Sequence, residues 1–154
     1  MSQMDEQLAQ GLPVEGQHEH TLDGKGRMSI PAEFRGSLAL TEGSELVVTR
    51  HLKERCLLVF WPESWDAFKE AVGKAPPQVS TALSRIVCGS SRRVRLDKLG
   101  RIQIPSVLRK YADLDGKCSV LGQRERLEIW SMAVWDETHG PQQYQELDLS
   151  EFML

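Results

Sequence analysis

Several short runs of this 154-residue chain alternate apolar and polar residues with a period of two, the pattern of strands that bury one face. A first strand is predicted near His18–Leu22. After it, Met28 and Ile30 alternate with Arg27 and Ser29, sending the first pair inward and the second outward. Pro31 stops that strand and suits the start of a short helix, Ala32–Arg35, closed by Gly36. Further strands are predicted at Glu45–Arg50 and Cys56–Trp61. Pro62 opens a helix with Trp65, Phe68 and Val72 on one face and Gly73 as its stop. Lys74-Ala-Pro-Pro-Gln78 reads as a linker, and Val79, Leu83, Ile86 and Val87 are spaced as in a second amphipathic helix. The same order of elements then returns. A strand alternates Arg93 and Arg95 with Val94 and Leu96, and a turn follows at Asp97–Gly100. Next come a strand at Arg101–Ile104, a short helix from Pro105, and strands at Lys117–Gly122 and Arg126–Trp130. Ser131 caps a last helix that Gly140-Pro141 ends.

The recurrence is also literal. Asp23-Gly-Lys-Gly-Arg-Met-Ser-Ile-Pro31 returns as Asp97-Lys-Leu-Gly-Arg-Ile-Gln-Ile-Pro105, 74 residues later, in the shared frame Asp-x-x-Gly-Arg-x-x-Ile-Pro. Arg35 and Arg109 follow the two prolines at the same distance, and each copy ends in a paired-tryptophan stretch, Trp61 with Trp65 and Trp130 with Trp135. The chain is therefore two copies of one small unit in tandem. A unit of roughly 50 residues buries a poor core alone, so the halves are expected to share one. The boundaries read as a mobile extension over 1–16, a first domain over 17–64, a helical connector over 65–90, a second domain over 91–135, and an acidic tail over 136–154 whose residues after Gly140-Pro141 are expected to fray.

Composition changes this picture little, and charge changes it more. An apolar share of 40% and a charged share of 27% describe an ordinary soluble globular protein. No run is apolar enough for a membrane helix, and the N-terminus lacks the layout of a secretory signal. Three scattered cysteines read as buried free thiols of a reducing cytoplasm. The formal net charge of −3 hides opposite fields: −4 over residues 1–19, −5 over 136–154, and +7 over 85–110. That basic stretch points to a polyanionic partner.

The doubled signature, the approach Glu19-His-Thr-Leu-Asp23 and the tryptophan endings resemble the MraZ family, bacterial transcriptional regulators with two SpoVT-AbrB-like domains in one chain. The resemblance spans about residues 16–137. It implies an α+β, mainly β fold: two tandem swapped-hairpin units forming one pseudo-twofold β-core with short flanking helices. It also implies a ring-shaped homo-oligomer that binds double-stranded DNA at short direct repeats. The expected target is the promoter of a division and cell-wall gene cluster that includes the protein's own gene, with repression as the leading expectation. A cytoplasmic, nucleoid-associated location follows. Cys88 and Leu99 stand where that pattern leads one to expect an aromatic and a small or polar residue.

Arg27 and Arg101 sit beside glycine turns at outward strand positions, where a guanidinium can bond a phosphate or read guanine O6 and N7. Asp23 and Asp97, with Gly26 and Gly100, are expected to orient them, and a plain Asp–Arg pair across each turn is the competing structural reading. Lys25 and Lys98 suit phosphate contacts, and Arg93 and Arg95 suit non-specific affinity. Arg35 and Arg109 are open between acidic neighbours and an adjacent protomer. The tryptophans read as core or subunit contacts.

Enzyme readings lack support. Asp23-Gly-Lys-Gly26 is too short for a P-loop, and no nucleophile elbow is present. His18, His20 and His51 could ligate a metal, but no metal-ligand spacing accompanies them and the second copy has Arg92 and Val94 in place of the first two. No cofactor and no small-molecule substrate are expected. The rival class is an antitoxin-like or scaffolding ring that binds a protein and meets DNA only incidentally.

Overall fold

The computed structural model describes residues 14–154. The first half builds β1 (Val14–Thr21), β2 (Arg27–Ser29), α1 (Ala32–Ser37), β3 (Glu45–Arg50) and β4 (Leu57–Phe60). A helical stretch follows as α2 (Pro62–Lys74) and α3 (Pro77–Ala82), which runs on into a π turn, Leu83–Cys88. The second half repeats the plan with β5 (Arg92–Arg95), β6 (Arg101–Gln103), α4 (Ser106–Tyr111), β7 (Lys117–Arg124), β8 (Leu127–Ser131) and α5 (Met132–His139).

Six strands form one antiparallel sheet in the order β1-β7-β8-β4-β3-β5. Each half's opening strand leaves its own hairpin and pairs with the other's. β1 runs along β7 from Val14 opposite Arg124 to Thr21 opposite Lys117, and β5 runs along β3 from Arg95 opposite Glu45 to Arg92 opposite Val48. The two hairpins meet where β4 pairs with β8, Leu57 opposite Ile129 and Val59 opposite Leu127. β2 and β6 form a separate two-stranded ribbon with Met28 opposite Ile102. This is the expected exchange of hairpins about a pseudo-twofold axis.

The core explains why neither half stands alone. Met28, Ile30, Phe34, Val48 and Val59 of one half pack in a single buried cluster with Ile102, Ile104, Leu108, Val120 and Ile129 of the other. Alternate residues of β4 face opposite ways: Leu57 and Val59 enter that cluster, while Leu58 and Phe60 join a second one with Trp65 and Val87. Helices therefore cover the outer face of the sheet here, and the strand reads as a continuous apolar run instead of an alternating one. Polar side chains also join the halves. Arg50 of β3 lies 3.9 Å over the Tyr111 ring of α4 and donates to its hydroxyl at 3.1 Å.

Several boundaries differ from expectation. β1 begins at Val14, so residues 14–16 belong to a strand, and the rest of the expected extension, 1–13, lies outside the described residues. α2 passes through Gly73 and ends at Lys74, where Ala75 is held extended ahead of Pro76. α5 ends at His139, capped by Gly140 as expected, but the acidic segment expected to fray after Gly140-Pro141 instead holds 3-10 turns at Pro141–Tyr144 and Ser150–Phe152. Cys56 and Cys118 are buried and Cys88 is half-buried, all as free thiols. Burial pushes the Cys118 thiol up to about 11 and raises those of Cys56 and Cys88.

Candidate functional site

The two signature turns fold alike because one aspartate organises each. Asp23 Oδ1 accepts from the backbone N–H of Lys25 (2.8 Å) and of Arg27 (2.9 Å), while Oδ2 accepts from Nε of Arg27 (2.8 Å). Asp97 repeats this with Leu99 N–H, Arg101 N–H and Arg101 Nε, each at 2.9 Å. Short Asp side chains favour this local capture of backbone donors. The backbone N–H of Arg27 is the chief influence holding the Asp23 carboxyl at about 2. The Arg27 guanidinium and the Lys25 N–H add to it and outweigh desolvation. Asp97 is held low in the same way, first by the backbone N–H of Arg101.

The structural reading of these arginines is met in each turn. The Asp–Arg pair forms in each turn, but it engages Nε. Among the described residues neither Arg27 nor Arg101 uses a terminal nitrogen in a hydrogen bond, and their side chains remain 33% and 27% exposed. Buried Met28 and Ile102 anchor the strands from beneath, so Arg27, Ser29, Arg101 and Gln103 share the outer face of the β2–β6 ribbon. The ribbon brings the turns together. Arg101 Nη1 lies 3.9 Å from Asp23 Oδ2, and Gln103 Nε2 donates to the Lys25 carbonyl at 2.5 Å. Gln103 was not singled out by its sequence, since repeat one has Ser29 in its place.

Arg35 and Arg109 take a part that neither sequence reading offered. Arg35 Nε donates to the Ile30 carbonyl at 2.9 Å, and Arg109 Nε to that of Ile104 at 3.0 Å. Neither forms an ion pair among the described residues; each guanidinium lies against the other half's turn instead. A Cβ on Gly26 would fall 2.6 Å from Arg109 Cζ, and one on Gly100 would fall 2.5 Å from Arg35 Cζ. Backbone bonds lock the same exchange, Ile30 N–H to the Gly100 carbonyl and Ile104 N–H to that of Gly26, both at 2.9 Å. The recurrence of both arginines at a fixed distance from their prolines was the available signal.

The remaining sequence candidates divide. Lys25 and Lys98 are exposed in the turns and take part in no ion pair among the described residues. Arg93 and Arg95 stand on β5, at the edge of the large sheet, apart from the ribbon. Register places Glu45 of β3 beside them, with Arg93 Nη1 at 2.5 Å and Arg95 Nη2 at 3.6 Å, so their charge is partly compensated. His18 Nε2 lies 3.1 Å from Glu33, and His51 Nδ1 accepts from the N–H groups of Lys53 and Glu54. No group of three metal-ligating His, Cys, Asp or Glu side chains gathers among the described residues, and no helix there is long and apolar enough to cross a membrane.

Fold and site together define a two-repeat β-protein with an internal hairpin exchange, presenting two arginine turns on one face. The family model described as "MraZ protein, putative antitoxin-like" matches residues 14–83 and 89–151, and the chain belongs to this family. It is 40% identical over 124 residues to a protein of Marinomonas sp. (strain MWYL1) named Transcriptional regulator MraZ, covering 79% of this chain and 82% of that one. A protein of the same name from Saccharophagus degradans (strain 2-40) is 37% identical over 123 residues, covering 79% and 84%. Among solved structures, the solution structure of PHS018 from Pyrococcus horikoshii is 17% identical and covers 75% of this chain and 87% of that one, at a TM-score of 0.35.

Proposed function

We infer that the protein is a sequence-specific DNA-binding transcriptional regulator in which Arg27 and Arg101 contact the duplex. The observation that carries this reading is the shared construction of the two turns. Each aspartate takes Nε and two backbone N–H groups, so the guanidinium is oriented while, among the described residues, its terminal nitrogens form no hydrogen bond. A solvent-screened ion pair of this kind contributes little to stability, so orientation is its larger effect. Two terminal N–H groups held in plane match guanine O6 and N7, or a phosphate, bidentately. Exposed Lys25 and Lys98 suit phosphates, and Arg93 and Arg95, half-compensated by Glu45, add longer-range attraction from the sheet edge.

Two turns make few contacts, and a lone protomer would bind weakly. Identical protomers on successive direct repeats raise the effective concentration of each next contact, which suits a ring-shaped homo-oligomer. Exposed Tyr144, Leu147, Phe152 and Met153 near the C-terminus offer apolar surface for such assembly. The full proposal is a cytoplasmic, nucleoid-associated repressor acting on the promoter of a division and cell-wall cluster that includes its own gene. The named relatives support the regulatory part of it.

The test is an electrophoretic shift on DNA from upstream of the protein's own gene. Each of Arg27→Ala and Arg101→Ala is expected to cost about 1–3 kcal/mol of binding, and the double variant to abolish the shift while circular dichroism and sedimentation stay native. An unchanged shift with the double variant refutes the assignment. Capture of a protein partner by the native chain without any DNA binding would favour the antitoxin-like reading instead.

A further inference from the structure

Outside the C-terminal segment, three large apolar side chains among the described residues are exposed: Val79, Leu99 and Val107. Leu99 is the one on the candidate DNA-contacting surface. It is 60% exposed at the tip of the second turn, between Lys98 and the Gly100-Arg101 pair. The turn holds it there. Its N–H is bonded to Asp97 Oδ1 at 2.9 Å, Gly100 N–H closes onto the Asp97 carbonyl at 3.0 Å, and the Arg35 guanidinium blocks the space behind Gly100. The backbone therefore cannot turn the leucine inward. Isolated exposed leucines need no explanation on an ordinary surface. This one replaces a cation: the equivalent position of the first turn is Lys25. The tips are matched in backbone and opposite in chemistry.

We propose that Leu99 reads sequence, packing its branched methyl groups against the C5-methyl of a thymine in the major groove beside the base or phosphate held by Arg101. This rests on the DNA-binding reading above. Thymine alone among the bases presents a methyl group in that groove, and apolar contact is how side chains recognise it. A leucine gains nothing from phosphates, whereas Lys25 at the equivalent tip suits them. The first turn thus supplies an arginine and a backbone-directed cation at its tip, and the second an arginine, a methyl reader at its tip and the cation Lys98 one position earlier.

The experiment exchanges thymine for uracil, one position at a time, in a DNA fragment that the native protein binds. Removing one methyl contact is worth about fourfold in affinity. Native protein should lose about that factor at one position within each repeat of the site and little elsewhere. Leu99→Ala should bind the thymine DNA more weakly by about the same factor or more and be indifferent to uracil at that position. Leu99→Lys should be equally indifferent and show a steeper salt dependence. Binding that is tight, Arg101-dependent and unaffected by uracil at every position overturns the role of Leu99 and leaves the DNA-binding reading standing. An equal uracil penalty in Leu99→Ala overturns it as well. If Leu99→Ala instead dissociates the assembly in sedimentation, the residue is a subunit contact and the proposal falls. No binding by the native protein overturns both readings.

Discussion

Gly26 and Gly100 are glycines for two separate reasons. Their φ angles of +78° and +82° lie in the left-handed region, which a Cβ disfavours by roughly 1–2 kcal/mol. The guanidinium of the opposite half also fills the space where a Cβ would stand. Gly26→Ala is therefore expected to cost about 2 kcal/mol or more in urea denaturation, and Arg109→Ala should relieve part of that cost. Additive effects would show that the two groups do not touch. The aspartates make a different prediction. Their carboxyls are depressed in the folded state, Asp23 to about 2, so their stabilisation is complete above the ordinary carboxylate value of about 4 and is lost as pH falls towards the folded value. The stability difference between native protein and Asp23→Asn should be flat from pH 5 to 8 and shrink on acidification between about 4 and 2. A difference that grows in acid would contradict the sign. The Asp–Arg turn was legible in the sequence because it occurs twice. The arginine braces were not, because one motif does not say which half's helix lies over which turn.

At the scale of elements, the alternating runs located strands where one face is buried and the other wet. β3 begins and ends where its pattern predicts, at Glu45 and Arg50. β1 was read too short, because Val14-Glu15-Gly16 shows no alternation and Gly16 has a φ of +109°. Its pairing with β7, not its own pattern, makes it a strand. The stop placed at Gly73 failed for a related reason. A glycine ends a helix when it takes a left-handed conformation, whereas this one continues the helix until Pro76 ends it. The charge of β5 was legible and its compensation was not: Glu45 is remote in sequence and reaches Arg93 and Arg95 only through the β3–β5 register. Local chemistry could be read from the chain, but partners supplied by pairing could not.

For the whole molecule, the exchange of opening strands means that each hairpin lacks a neighbour until the other half arrives. A chain cut after Cys88 would keep β1 without β7 and β3 without β5, and it would expose Met28, Ile30, Val48 and Val59 where the second half packs. Such a half-chain is expected to be unfolded when dilute and to fold only as a concentration-dependent dimer, as judged by circular dichroism with sedimentation. A folded monomeric half would contradict the shared core. Joining both halves in one chain has a consequence of another kind. Two identical halves would form an exact dyad, and an exact dyad can be turned end for end without changing what it presents. Copies joined in one chain need not be identical, and here one tip carries Lys25 and the other Leu99. The molecule has a front and a back, and any linear partner it grips must be gripped in one orientation.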